Sequence, residues 1–192
     1  MIGALANIAS AFGLATSAGL NAYVPLLVVA LLARFTDLIV LEEPYSLLTN
    51  EWVIIVLLFL LVIEFFADKV PAADSINDVI QTVVRPVAGA ILFAATANVI
   101  SDIHPVLAMI CGLVVAGGIH ATKSTVRPII TATTGGTMNP VVSLAEDFGS
   151  LIIALLAALV PMLFVVVSTV FGLLILWWIL RRQRRSGAEL AT

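Results

Sequence analysis

The chain has 192 residues, of which 61% are hydrophobic and only 11% charged, with a net charge of −3 and a mean hydropathy of +1.17. Soluble domains carry roughly 25% charged residues, so this composition excludes a water-soluble globule, and it offers no basic face for nucleic acid. The apolar runs also lack the repeated ten-residue alternation of an outer-membrane barrel, which leaves an all-α, polytopic membrane protein.

The first run, Ile2 to Ala33, contains no charged residue. As one helix it would be about 48 Å long against a hydrocarbon core of roughly 30 Å. The surplus coincides with Thr16-Ser17-Ala18-Gly19-Leu20-Asn21 and then Pro25. A break or re-entrant piece is expected there, followed by a span to about Arg34; a tilted helix with a small-residue packing face is the alternative. The N-terminus lacks the basic region of a cleaved signal peptide and should stay in the fold.

Residues 37 to 51 form a polar connection carrying Asp37, Glu42, Glu43 and Glu51. Trp52 sits where an interfacial aromatic belongs, and the second span ends in Glu64, Asp68 and Lys69. From Val70 to Pro86, Ser75 and Asp78 suggest a capping box, while Ile76, Val79, Ile80 and Val83 share one helical face. That pattern predicts a short amphipathic helix at the interface, bending at Pro86 into a third span that ends near Asn98. His104 before Pro105 reads as a helix-start residue rather than a general base. The fourth span then runs to about Ala121, with Gly112, Gly117 and Gly118 allowing close helix contact. Cys111 lies inside this apolar run and reads as structural.

His120 to Asp147 is polar sequence between membrane-length apolar runs, which is tolerated only where it faces protein, water or a ligand. Leu151 to Leu180 is uncharged again, and Trp177 and Trp178 precede Arg181, Arg182, Arg184 and Arg185. Thirty residues are too many for one helix and too few for two, so a fifth span starting near Val141 would take Glu146 and Asp147 into the membrane. About six spans with both termini cytoplasmic place Lys69, Arg85, Lys123, Arg127 and the tail arginines inside, as the positive-inside rule requires. The expected organisation is one transmembrane domain over 1–180 and a basic cytoplasmic tail over 181–192, in a cytoplasmic (inner) membrane.

Two weak internal echoes accompany these breaks. Val84-Arg85-Pro86 recurs as Val126-Arg127-Pro128, and Thr16 to Asn21 resembles Thr133 to Asn139. Paired breaks of this kind occur in transporters built from inverted repeats.

Three chemistries suggest themselves. Gly135 and Gly136, flanked by Thr133, Thr134 and Thr137 with Asn139 and its echo Asn21, could present N–H and hydroxyl donors to an anion. Arg85, Lys123 and Arg127 would add charge, each arginine next to a proline suited to the first turn of a helix. The alternative is snorkelling arginines that set topology. Glu64, Asp68, His120, Glu146 and Asp147 could instead handle protons or a cation, or pair with the basic residues in internal salt bridges. No nucleophile or oxyanion motif is present, so an enzyme is not expected, nor is a cofactor; which metal, if any, the carboxylates would suit is left open.

The stretches GLATSAGLNAYVPLL, FFADKVPAADSINDVIQTVVRPVAGAIL and HATKSTVRP with TTGGTMNPVVSLAEDFGS resemble a bacterial family of small integral-membrane proteins catalogued only as a domain of unknown function (DUF4126-like). The resemblance covers nearly the whole chain to about Leu180. It implies a compact polytopic protein with polar segments between spans, and it transfers no functional residue. The expectation is a small transporter-like protein that binds an anionic solute or a lipid phosphate in a polar cavity, working as a homodimer or small homo-oligomer among membrane lipids. The alternatives are a non-transporting scaffold or lipid-organising protein, and a proton or divalent-cation transporter using the intramembrane carboxylates.

Overall fold

A computed structural model describes residues 2–67, 71–97, 103–159, 169–175, 177–178 and 181. Six α-helices and one 3-10 turn follow in order: α1 (Ile2–Leu20), α2 (Tyr23–Phe35), the turn Tyr45–Thr49, α3 (Glu51–Ala67), α4 (Pro71–Ala97), α5 (Pro105–Thr134) and α6 (Asn139–Leu159), with no strand among the described residues. Residues 169–175 are helical as well. The segments 77–97, Pro105–Thr134 and Asn139–Leu159 are long and apolar enough to cross a membrane, and Tyr23–Phe35 is a shorter apolar helix. Exposed Ile55, Val56, Phe59, Leu107, Ile110, Val114, Phe148 and Ile152 clothe the outside of the bundle. Such a surface is unsuited to water and suited to lipid.

The expected break near Asn21 is present, and it is a reversal of direction. Ala22 has helical backbone angles, and the Asn21 side chain accepts from the Tyr23 and Val24 N–H groups at 2.9 and 3.0 Å. Asn21 is therefore the residue that caps α2, satisfying N–H groups a helix start leaves unpaired. From there α2 runs back antiparallel to α1. Asn7, Ser10 and Leu14 line one cavity with Leu38, Ile39 and Val40, just beyond the end of α2. Arg34 at that end donates to the Thr49 carbonyl and pairs with Glu51 at the start of α3. The chain thus enters by α1 and leaves by α2 at the same end of the bundle, where a break or re-entrant piece followed by one span to about Arg34 was expected.

Helices α1, α4, α5 and α6 form the centre. Ser10 donates to the Ala157 carbonyl, and Ser17 and Ser150 bond reciprocally at 2.8 and 3.1 Å, so α1 and α6 are antiparallel. Small residues bring the backbones close. A Cβ on Gly19 would lie 2.7 Å from the Ala116 carbonyl oxygen of α5, and one on Gly112 would collide with the Gly89 carbonyl of α4. Of the three glycines expected to make close contacts, Gly112 does so, Gly117 meets only the Pro86 ring at 3.6 Å, and Gly118 has nothing within 4 Å. At the start of α5, His104 accepts from the Val106 N–H and Pro105 occupies the first turn, as expected of a helix-start residue.

Two expectations for α4 are corrected. The helix starts at Pro71, so Ser75 lies within it rather than at its start, and it runs on through Pro86, so that the short interfacial helix and the third span are one helix. Its amphipathic face is also the reverse of an interfacial helix: Val79 and Val83 are 72% and 66% exposed, while Gln81 and Arg85 are 1% exposed. With hydrocarbon as the solvent, the apolar face points outward and the polar one inward. Pro128 is likewise internal to α5, so neither arginine stands at a helix start.

The two sequence echoes do not share one symmetry. The Arg-Pro pairs lie on α4 and α5, which are antiparallel, since Arg85 meets His120 and Asp78 meets Arg127. The Asn21 and Asn139 turns join helices of matching direction, because α1 runs parallel to α5 and α2 parallel to α6.

Candidate functional site

The inward faces of α3 to α6 and the α1–α2 turn carry ionisable groups into one layer of the bundle. On α4, Asp78, Gln81, Thr82 and Arg85 follow each other at helical spacing. On α5, His120, Lys123 and Arg127 continue the inward stripe of Ala108, Gly112 and Ala116. On α6, Glu146 and Asp147 lie two turns beyond the Gly135–Gly136 turn. Counted along α5 from Pro105, His120 and Arg127 lie roughly 22 and 33 Å from its start, so the layer runs from inside the hydrocarbon to the near interface.

The contacts form a chain across the bundle. Glu64 Oε1 accepts from Arg85 Nη2 at 2.9 Å, both residues being essentially inaccessible to solvent. Arg85 Nη1 lies 3.1 Å from His120 Nδ1, whose Nε2 is 3.1 Å from the Thr82 hydroxyl. One turn further, Lys123 Nζ pairs with Glu146 Oε2 at 2.7 Å and donates to the Leu20 carbonyl at 3.3 Å. That carbonyl is among those a helix end leaves without a backbone partner. Arg127 bridges Asp78 and Glu146, both at 3.4 Å. Asn21 Nδ2 donates to Asp147 Oδ1 at 2.9 Å.

Two properties follow. Among the described residues of the layer, Glu64, Asp78, Glu146 and Asp147 outnumber Arg85, Lys123 and Arg127 by one, and no lysine or arginine reaches Asp147. Second, Gln81 is buried with neither amide atom hydrogen-bonded, and Arg85 Nε beside it has no partner either. Tyr23, at the start of α2, faces Glu64, Gln81 and Arg85. Each unmade bond to a buried polar atom costs about 1–3 kcal/mol, so this corner of the layer is where the interior is least satisfied.

A cavity of about 320 Å³ opens beside the chain, lined by Leu20, Ile119, Thr122, Lys123, Val126, Arg127, Ile130, Val142 and Glu146. Among the described residues no three of His, Cys, Asp and Glu converge as metal ligands would.

The sequence matches the family described as "Domain of unknown function (DUF4126)" over residues 8–182. The chain belongs to that family. No curated protein and no solved structure matches it.

Within this DUF4126 member, the structure brings together most of the residues singled out by sequence: Asn21, Glu64, Arg85, His120, Lys123, Arg127, Glu146 and Asp147. Asp68 lies outside the described residues. The Thr/Gly turn is placed apart from the layer and its donors are engaged. Gly135 and Gly136 both take positive φ, and both N–H groups go to the Thr131 carbonyl in a helix C-cap. Thr133 and Thr134 donate to Ile129 and Ile130 carbonyls, and Thr137 to the Thr134 carbonyl. Asn139 accepts from Thr131. The turn therefore closes α5 onto α6, and its N–H groups do not point at a common external point.

Gln81, Thr82 and Tyr23 were not singled out, and Asp78 only as part of a capping box. The signal was available on α4, where Asp78, Gln81, Thr82 and Arg85 recur at three- and four-residue spacing opposite Val79 and Val83. Tyr23 carried no such signal, since it reaches the layer only because the chain reverses at Asn21.

Proposed function

We propose that this membrane protein is a small transporter that takes up an anionic group, a free phosphate or a lipid phosphate, at Lys123 and Arg127. One observation carries the reading: two buried cations one helical turn apart converge on a single carboxylate oxygen, Glu146 Oε2, at the wall of a 320 Å³ cavity. A carboxylate held this way is an internal stand-in for an external anion. Swinging Glu146 aside would turn Lys123 Nζ and Arg127 Nη2 toward the cavity while Asp78 still holds Arg127 Nη1, and a guanidinium edge suits phosphate geometry.

The surplus carboxylate supports a coupled mechanism. Glu64, His120 and Asp147 would exchange a proton or a cation as the anion enters, which is the usual role of ionisable groups held within a membrane. The positive-inside rule would put the Lys123–Arg127 end of the bundle at the cytoplasmic face of a bacterial inner membrane. Since Leu20 at the end of α1 meets Lys123, the start of α1 then lies at the opposite face, and the expectation of a cytoplasmic N-terminus is given up. A homodimer would supply the bulk that alternating access requires.

The test uses purified full-length protein in detergent and in liposomes. Inorganic phosphate is expected to raise the melting temperature of the wild type but not of Arg127→Gln, and vesicles holding the wild type should accumulate labelled phosphate. Equal protection of both proteins, together with no uptake, would remove the anion site.

A further inference from the structure

On the far side of α6 from that cavity, helices α2, α3 and α6 leave a groove of about 640 Å³. Leu27, Val28, Leu61, Phe65 and Leu151 are among its walls, and Asp147 is the single charged lining residue among the described residues. It shares no lining residue with the Lys123–Arg127 cavity. Exposed Val62, Phe66 and Phe148 flank it, so in a bilayer it opens sideways into lipid.

Asp147 is the singular feature. Asn21 fixes its Oδ1, and no described cation reaches it, whereas the adjacent Glu146 holds two. The groove is therefore apolar along its length and negative at one end. An occupant must bring hydrocarbon for the walls and a positive, hydrogen-bonding head for the carboxylate. A neutral or anionic head would leave Asp147 without a countercharge inside the membrane, which is unfavourable. A choline head carries the charge but no N–H to donate.

We propose that this groove binds an aminophospholipid of the surrounding bilayer, its acyl chain between α2, α3 and α6 and its ammonium on Asp147. The occupied carboxylate would then be tied on one side to the lipid and on the other to Asn21, the cap of α2. Lipid binding would thereby bear on the α1–α2 reversal. The lipid needs none of the walls of the anion site across α6; Asp147 is the one residue common to both readings, and a lipid ammonium on it would take it out of the proton exchange.

The experiment reconstitutes the full chain in nanodiscs holding equal amounts of ethanolamine, choline and glycerol phospholipids, then reads retained lipid by native mass spectrometry. Wild type should retain the ethanolamine lipid over the other two by about tenfold, equivalent to one charged contact. Asp147→Asn should lose that preference while still retaining lipid, Asp147→Glu should restore it, and Leu151→Trp, which fills the groove, should lose the lipid altogether. If Asp147→Asn does not fold, Leu151→Trp with Asp147 intact decides. Equal retention of choline lipid, preference for the glycerol lipid, or a cross-link placing residue 171 of the same chain against residue 151 would each overturn the proposal. Failure of phosphate to protect the wild type would overturn only the anion site, because the two readouts use different lipids, ligands and walls.

Discussion

Asn21 and Asp147 are joined by one hydrogen bond of 2.9 Å, and through it a helix reversal is tied to a carboxylate inside the membrane layer. Asn21 performs two jobs with one amide: its oxygen caps α2 and its nitrogen holds Asp147. The two jobs separate by substitution. Asn21→Ala loses both and should destabilise by about 2–4 kcal/mol, combining a lost cap with a lost bond to a charged group. Asn21→Ser restores the cap but cannot reach Asp147, so it should recover roughly 1 kcal/mol. Chemical denaturation in micelles measures the order; a serine variant no better than alanine would mean the cap contributes nothing.

The Glu64–Arg85 pair should be far more sensitive to single than to double replacement. Removing one partner leaves a buried charge uncompensated, at about 3–5 kcal/mol, whereas replacing both by apolar residues is often neutral. Glu64→Leu and Arg85→Met are each expected to melt well below the wild type, and the double variant to recover most of the loss. Additive melting shifts would show that the two charges do not support each other.

Glu146 competes with an incoming anion if it is the internal stand-in. Glu146→Gln keeps the size of the side chain and removes the charge, so phosphate should bind about tenfold more tightly, a gain of about 1.4 kcal/mol. Titration calorimetry on the detergent-solubilised variant reads this directly. Weaker binding than the wild type would assign Glu146 to the ligand's side of the site instead.

Close contact at Gly112 and open space at Gly118 make a matched pair on one helix. Gly112→Ala forces α4 and α5 apart and should cost about 1–3 kcal/mol. Gly118→Ala meets nothing and should be neutral or stabilising by up to about 1 kcal/mol. Melting temperatures of the two variants, measured side by side, decide.

The α1–α2 hairpin makes a topological prediction. In a background with Cys111 replaced, cysteines at 7 and 45 should react with an impermeant reagent from the same side of the membrane, and one at 136 from the other. Labelling of 7 and 136 from one side would contradict the hairpin.

The sequence made the helical, membrane-embedded class legible because composition alone forbids water as the solvent. It also located the break at Asn21 and the entry of Glu146 and Asp147 into a span, since charge-free length can be compared with bilayer thickness. The direction of α2 was not legible. A break looks the same in sequence whether the chain bends or turns back, and it is the meeting of Asn7, Ser10 and Leu14 with Leu38, Ile39 and Val40, just beyond the end of α2, that distinguishes the two. The Thr/Gly turn misled because N–H groups that could hold an anion are equally suited to closing a helix end. The inward face of α4 was hidden because a helix surrounded by lipid turns its polar side, Gln81 and Arg85, to the interior, the reverse of a helix in water.

Pro86 and Pro128 have a mechanical consequence. Each removes one rung from a helical ladder, at the carbonyls of Thr82 and Ser124, because proline has no N–H to donate. Both missing rungs fall beside the arginines of the charged layer. A helix bends most cheaply where a rung is absent. The two central helices are thus most compliant at the depth where their charges meet, so that a rearrangement of ion pairs and a flexing of backbone would occur in the same slab of the membrane.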